Sequence, residues 1–369
     1  MRLQLAIFGY WSGDMDVKSH ILYGVLNWGL GHATRSVPVI QALIREGFTP
    51  VIASDGAALQ YLCKVFPDLP YEELPAYDVR YSEGSFIFNM ITQLPRIGKA
   101  IRQERSFAVK LVKKYHARGI ISDNRMGFYF KGVPSAFITH QLNILLPFPA
   151  SVVNAVHHRY INKFTQCWVP DFEGEARSLA GKLTHSRKPS VPVHYLGPLS
   201  QIQEIEEVAK KYDAVAILSG PEPQRSILEA SLLKQLEGMT GNFILVRGTL
   251  NGKPLKTTIP YKDIIGGGAV AQLVSEARLV IGRSGYSSLM DYYILKNKAL
   301  LIPTPGQVEQ EYLAKHLRDQ KIFYAVDQGS LDLERDMVVA MEYPGFVKDR
   351  QKDPDWQELF GLFKSKGES

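Results

Sequence analysis

Apolar and polar positions in this chain come in blocks rather than in strict alternation. The run HILYGVL, residues 20–26, is almost wholly apolar and stops at Asn27. After the turn Trp28, Gly29, Leu30, Gly31, a helical pattern runs from about Ala33 to Glu46. Gly47 then ends it, and GFTPVIAS restores strand character. Strand, helix and strand in that order form the unit of a parallel sheet. GIISD and PSAFITH repeat the pattern of an apolar run closed by a polar residue, here Asp123 and His140. Open α/β sheets place their ligand groups at such strand ends.

The segment VPVHYLGPLS, followed by the charged stretch QIQEIEEVAKKYD, reads as the crossing into a second unit. AVAIL then opens a new strand, turn and helix. NFILVRG adds a strand, and ARLVIGRSGYSSLMDYYILKNKALLIPTP another complete unit. The expected fold class is therefore α/β, with two Rossmann-like parallel-sheet domains. Their boundaries fall at 1–198 and 199–343, and a helix within 344–369 packs back on the first. The opening MRLQLAIFGYWSGDMDVK has a short apolar core but two aspartates and no small-residue cleavage site, so it reads as a strand-like extension rather than a signal peptide.

Candidate chemistry begins at the first glycine turn. Gly29 and Gly31 permit backbone conformations that a Cβ penalises, so the turn can approach a ligand closely. His32 falls at the helix start, where free N–H groups favour an anion and disfavour imidazolium. A neutral imidazole there can take a proton from a hydroxyl or from water. Arg35, one turn on, faces the same side and suits an acidic or phosphorylated group. The competing reading makes Gly31 a tight turn and His32 a cap. The dinucleotide fingerprint is absent, because GLGH lacks the third glycine at the required offset.

In the second half, the turn SGPEPQR offers Ser219, Gly220 and Gln224 at the foot of a helix, with Arg225 as a cation suited to a pyrophosphate. Its alternative is a proline-rich turn with a solvent-facing arginine. In VIGRSGYSSLMD, Arg283, Ser284 and Gly285 make a strand-to-helix turn, and Ser288 and Asp291 share one helical face. Asp291 can accept both ribose hydroxyls while Ser288 donates to phosphate. After ALLIPTP come Gln310 and Glu311, placed to hydrogen-bond a sugar.

Composition narrows the classes. The chain has 369 residues, 45% of them hydrophobic and 22% charged, which fits a globular protein large enough for two cores. A net charge of +6 admits an anionic partner but lacks the density of a nucleic-acid binder, and no nucleic-acid-binding module accompanies it. Cys63 and Cys167 stand far apart and match neither a disulfide framework nor a metal spacing. The pair His157 and His158 has no spaced carboxylate and reads as surface. No apolar run reaches transmembrane length.

With these motifs in order, the chain resembles the two-domain glycosyltransferases of the bacterial lipid-linked N-acetylglucosamine transferase type, the family 28 members of the GT-B fold. The resemblance covers most of the chain. It implies that GLGH lies at the acceptor side of a cleft and that His32 is the base. It also implies that Arg283, Ser284, Gly285, Ser288 and Asp291 hold the nucleotide, Asp291 replacing the usual glutamate on the ribose. Gln310 and Glu311 stand where a Gln-Gln pair recognises the donor sugar, and Val270 stands near the segment whose backbone meets uracil. The implied donor is a UDP-sugar, with no bound metal and no tightly held cofactor. Glu311 in place of glutamine points away from N-acetylglucosamine as the sugar.

GLGHATR is also similar to the Gly-His-x-x-Arg start of nucleotide-sugar hydrolases, in which the histidine activates water. Hydrolysis is thus the enzymatic alternative, and a non-catalytic nucleotide-sugar-binding module the other. Asp123 and His140 are expected to touch the acceptor or assist His32, with helix capping as their competing role. Between Arg96 and Arg118, eight Lys or Arg stand against the single acid Glu104, and apolar Phe86, Ile87, Phe88, Met90 and Ile91 come just before. Such an arm suits an anionic membrane and a lipid-linked acceptor, or an ordinary solvated helix. The expected location is cytoplasmic, peripheral on the inner membrane face.

Overall fold

A computed structural model of the chain describes residues 19–77, 86–146, 150–205, 208–249, 252–263, 266–347 and 354–364. The opening stretch assigned above to an extension, residues 1–18, lies outside them. The first sheet contains β1 (Ser19–Val25), β2 (Phe48–Ser54), β3 (Tyr71–Glu73), β4 (Gly119–Asp123), β5 (Ser135–Ile138), β6 (Gln166–Val169) and β7 (Val193–Tyr195). Its order is β3-β2-β1-β4-β5-β6-β7, with all pairs parallel. The second sheet contains β8 (Tyr212–Ile217), β9 (Phe243–Val246), β10 (Tyr261–Lys262), β11 (Ala277–Gly282), β12 (Lys298–Leu301) and β13 (Tyr324–Ala325). Its order, β10-β9-β8-β11-β12-β13, is again parallel throughout.

Helices fill the crossovers. Those of the first sheet are α1 (Gly31–Arg45), α2 (Gly56–Val65), α3 (Phe86–Tyr115), α4 (Ala150–Ile161) and the short α5 (Lys182–His185). Those of the second are α6 (Gln224–Leu236), α7 (Gly267–Ser275), α8 (Tyr286–Leu295), α9 (Val308–Asp319) and α10 (Leu333–Glu342), and α11 (Trp356–Phe360) follows. The apolar blocks of the sequence become strands such as Gly119–Asp123 and Ser135–Ile138, buried at every position because helices cover both sheet faces. α1 begins at Gly31, two residues before the expected start, so His32 sits inside its first turn rather than ahead of it.

Each sheet reverses its strand order once, and the reversals fix where chemistry can sit. In the first sheet the switch lies between β1 and β4, and in the second between β8 and β11. At such a point the two neighbouring loops leave in opposite directions and open a crevice beyond the carboxyl ends of the strands. The two halves share one continuous apolar core, in which Phe172 of the first half packs against Tyr293 of α8 at 5.2 Å between ring centroids.

α11 does not stay with the second sheet. Phe360 packs edge-on against Phe48 of β2 and tilted against Trp168 of β6, each at 6.0 Å between centroids, and Phe363 joins both rings at 6.4 and 6.3 Å. α11 thus meets the first sheet through this aromatic cluster. Phe360 is fully buried there. Phe360→Ala is therefore expected to cost about 3–5 kcal/mol of folding stability, read as a lowered urea midpoint with an unchanged slope.

Candidate functional site

The loop after β1 carries Gly29 at φ +78°, a backbone state open to glycine, and delivers Gly31 to the start of α1. A Cβ on Gly31 would lie 2.6 Å from the Ser287 hydroxyl of α8. The absent side chain thus lets the first turn of α1 meet the first turn of α8, which brings the two switch points together.

His32 and Asp123 meet across the first switch point. His32 Nδ1 lies 2.7 Å from Asp123 Oδ1. Arg35, 2% exposed, donates its Nε to Asp123 Oδ2 at 2.7 Å and an Nη2 proton to Asp123 Oδ1. Burial pushes the Asp123 carboxyl up, but Arg35 and then His32 outweigh it and hold the group at about 2. Arg35 Nη2 directs its proton to the same Oδ1 and stands 2.9 Å from His32 Nδ1 as a charge rather than a donor, so the ionised Oδ1 at 2.7 Å takes the proton of His32 Nδ1, since two lone pairs would otherwise face each other. His32 Nε2 is then the basic nitrogen, and it has no hydrogen-bond partner among the described residues. Burial first, and the Arg35 cation second, lower the His32 pKa below its ordinary 6.5, so the ring is neutral at neutral pH.

His140, at the end of β5, joins the same cluster. Arg35 Nη1 donates to His140 Nδ1 at 2.8 Å, and His140 Nε2 donates to Glu309 Oε1 at 2.9 Å. Gln141 Nε2 donates to the other Glu309 oxygen. The His140 ring stacks on Tyr286 of α8, 4.5 Å between centroids and 7° from parallel, while Tyr286 donates its hydroxyl proton to the Pro170 carbonyl at 2.6 Å. Sequence reasoning named His32, Asp123 and His140, and the structure brings all three together. It did not name Glu309, which neighbours the chosen Gln310. One signal was available: a carboxylate in the first turn of a helix that follows a strand end.

The second switch point gathers helix starts. α8 and α9 follow Gly285 and Gln307 with no side-chain cap, so their first backbone N–H groups are open to an anion, whereas at the start of α6, after Pro223, Arg225 N donates to Pro221 O at 3.1 Å and Ser226 N to Glu222 Oε2 at 3.2 Å. Ser219 and Gly220, the latter at φ +101°, are exposed in the loop after β8. Gln224 opens α6 and accepts from Gln328 at 3.1 Å. Arg225 departs from expectation. Its Nε donates to Glu222 Oε1 at 2.5 Å and its Nη1 to Glu229 Oε2 at 2.7 Å, so its charge is already matched within its own helix start. Arg283 carries the unmatched charge. It is 1% exposed, its Nη1 and Nη2 reach only the carbonyls of Ile302, Pro303 and Gln224, and its Nε has no partner among the described residues. Burial without a carboxylate pulls its pKa down to about 10.

The remaining expected residues hold structural bonds of their own. Ser284 donates to the Gln310 carbonyl at 2.8 Å. Gln310 Oε1 accepts from Thr304 N at 2.9 Å, and Glu311 accepts from Gly306 N at 2.7 Å. Ser288 is half-buried one turn before Asp291, whose Oδ1 accepts from Ser200 at 2.5 Å; burial pushes that carboxyl up to about 7. Val270 lies within α7, its N–H bonded to Gly266 O at 3.0 Å and its side chain against the core, so it has no free backbone donor for a base. His157 and His158 are not on the surface. Both are buried, donating Nε2–H to the carbonyls of Gln141 and Leu142 at 2.8 Å. Among the described residues no group of three or more His, Cys, Asp or Glu could hold a metal ion.

Two parallel sheets facing across a cleft, with helix starts converging on it, define a GT-B fold. Residues 258–338 match the glycosyltransferase family 28 C-terminal domain, and that match together with the fold supports glycosyltransferase activity. An uncharacterized glycosyltransferase of Methanopyrus kandleri is 22% identical over 320 residues, 79% of this chain and 88% of the relative. The glycosyltransferase SnogD of Streptomyces nogalater has a TM-score of 0.62 at 14% identity, covering 94% of this chain and 100% of its own. MurG of Acinetobacter baumannii gives 0.54 at 14%, with 94% and 99% covered. At these identities the solved structures speak for the fold.

The Asp123 carboxyl, lowered from 3.8 to about 2, contributes stability that is complete above 3.8 and is lost as pH falls through about 2. The folding free energy of the native chain should therefore fall across that interval. Asp123→Asn should be weaker at neutral pH by roughly 3–5 kcal/mol, because Arg35 is left buried and unpaired, and should lose less over the same acid range. Urea midpoints measured against pH check both statements.

Proposed function

We propose that this protein transfers a sugar from a UDP-sugar to an acceptor hydroxyl, with residues 1–198 on the acceptor side and 199–343 on the donor side. The observation that carries the reading is the bare Nε2 of a neutral His32, oriented by Asp123, at the seam where α1 meets the uncapped start of α8. His32 takes the proton of the acceptor hydroxyl as its oxygen attacks the anomeric carbon, and UDP leaves. Charge growing on the diphosphate falls to the N–H groups opening α8 and to the buried, unmatched Arg283. Arg225, neutralised by Glu222 and Glu229, is not given that role. Asp291, with one oxygen on Ser200, offers its other oxygen to the ribose. Glu309, Gln310 and Glu311 line the start of α9 for the sugar.

For the acceptor, the exposed side of α3 supports an anionic lipid surface. Arg96, Lys99, Arg102, Arg105, Lys110, Lys113 and Lys114 are all exposed, while Glu104 is buried beneath them on Arg125. No helix among the described residues is long and apolar enough to cross a membrane, so this contact is peripheral. The apolar residues that precede the basic run, Phe86 to Ile91, have no described side chains.

Calorimetric titration with UDP, with ADP and GDP as controls, should show selective UDP binding that survives His32→Ala. Turnover of the UDP-sugar in that variant should fall by about 10²–10⁴-fold. Because the His32 pKa is lowered, the native acid limb should lie below 6.5, activity persisting as pH drops through that value. Full turnover by His32→Ala would remove the base. Free sugar released at the full rate without acceptor would make the protein a hydrolase, and UDP binding without turnover would leave a binding module.

A further inference from the structure

The reaction as drawn gives no task to Arg35, yet its guanidinium is the centre of the cluster. Each histidine beside it hydrogen-bonds a carboxylate, His32 to Asp123 and His140 to Glu309. A carboxylate partner stabilises imidazolium, so either ring left alone with its acid is drawn toward the doubly protonated state. An imidazolium at His32 has no lone pair for an acceptor proton.

Arg35 opposes that pull on both rings from one position. An arginine side chain has only donors, so its Nη1 at 2.8 Å compels His140 Nδ1 to accept, and no proton can occupy that nitrogen while the bond stands. Its Nη2 gives its proton to Asp123 Oδ1 rather than to His32 Nδ1, 2.9 Å away, and as a fixed cation there it disfavours a second charge on the ring. The same fork engages both oxygens of Asp123 and so spends much of that carboxylate's field on itself. The other charged or titratable groups facing the rings are Tyr23 of β1, Tyr286 of α8, and Asp171 after β6, which acts through Tyr286. None of these places a cation against either Nδ1.

We propose that Arg35 is a positioning residue that keeps both cleft histidines neutral while each remains hydrogen-bonded to a carboxylate. The fork is what the task needs. A lysine supplies the charge as a single point and reaches one ring or the carboxylate, not all three.

The test has two arms, and only the kinetic one rests on the transferase reading. In the first, the full chain is labelled with 15N-histidine and its imidazole spectra are recorded at neutral pH, with His32→Gln and His140→Gln to assign the signals. The native protein should show His32 protonated on Nδ1 alone and His140 on Nε2 alone. Arg35→Met should turn at least one of the two into imidazolium. In the second arm, the acid limb of kcat should move up by about one pH unit or more in Arg35→Met. Arg35→Lys should lie between, and KM for the UDP-sugar should change little in both.

An imidazolium at either position in the native protein overturns the proposal, even if neither variant folds. An unmoved acid limb in a folded Arg35→Met that binds UDP normally overturns it as well. Neutral rings of the stated tautomers in a native protein that turns over no UDP-sugar would leave this inference standing and remove the transferase reading instead.

Discussion

The buried ion pair between Arg35 and Asp123 is the constraint around which the cleft is organised. Removing a guanidinium and a carboxylate from water is costly, and the pair persists only where further hydrogen bonds satisfy what remains of both groups. Here those bonds come from His32 and His140, so the polar cluster is closed by the side chains to which the chemistry is proposed to fall. The sheet order makes the closure possible. β4 pairs with β1 in parallel, with Asp123 in register beside Val25, so the end of one strand stands against the helix that follows the other. From there the network leaves its own sheet through His140 and reaches Glu309, so the orientation of the His32 cluster is coupled to the position of the second half.

The second half works by the opposite device. Where Arg35 is fully matched, Arg283 is left without an acid, its hydrogen bonds going to carbonyls at the ends of neighbouring elements. A buried cation of this kind is a standing electrostatic bias toward an anion, and the uncapped helix starts around it point the same way. Arg225 illustrates the contrast: equally basic and close in sequence to the same loop, it is neutralised by Glu222 and Glu229 before any ligand arrives.

Local features were legible in the sequence. Block-like apolar runs gave parallel strands, and polar residues ending those runs, Asp123 and His140, proved to lie beside His32. What could not be read was anything set by order across the sheet or by helix phase. The partner of Arg35 depends on β4 lying next to β1, a pairing 88 residues apart. Glu309 was passed over for Gln310 because each step along a helix turns the side chain by about 100°, and only the packing of α9 decides which neighbour faces the cleft. His157 and His158 bond carbonyls 16 residues away, a contact no local spacing announces. The Arg225 pairing, by contrast, was within reach, since Glu222 and Glu229 stand at the three- and four-residue spacings of a helix face.

The aromatic return of α11 has a bearing on how the protein is made. Phe360 and Phe363 complete the packing around Phe48 and Trp168, residues of the sheet built from 19–195. On the ribosome, strands β1 to β7 emerge long before those rings do, and until residue 363 is clear of the exit tunnel one face of the first sheet has an open apolar seam. The second sheet waits a shorter stretch, for Leu333 and Ala340 of α10. The half that holds His32 is thus synthesised first but is finished last, and during that interval an apolar seam of its sheet stands uncovered.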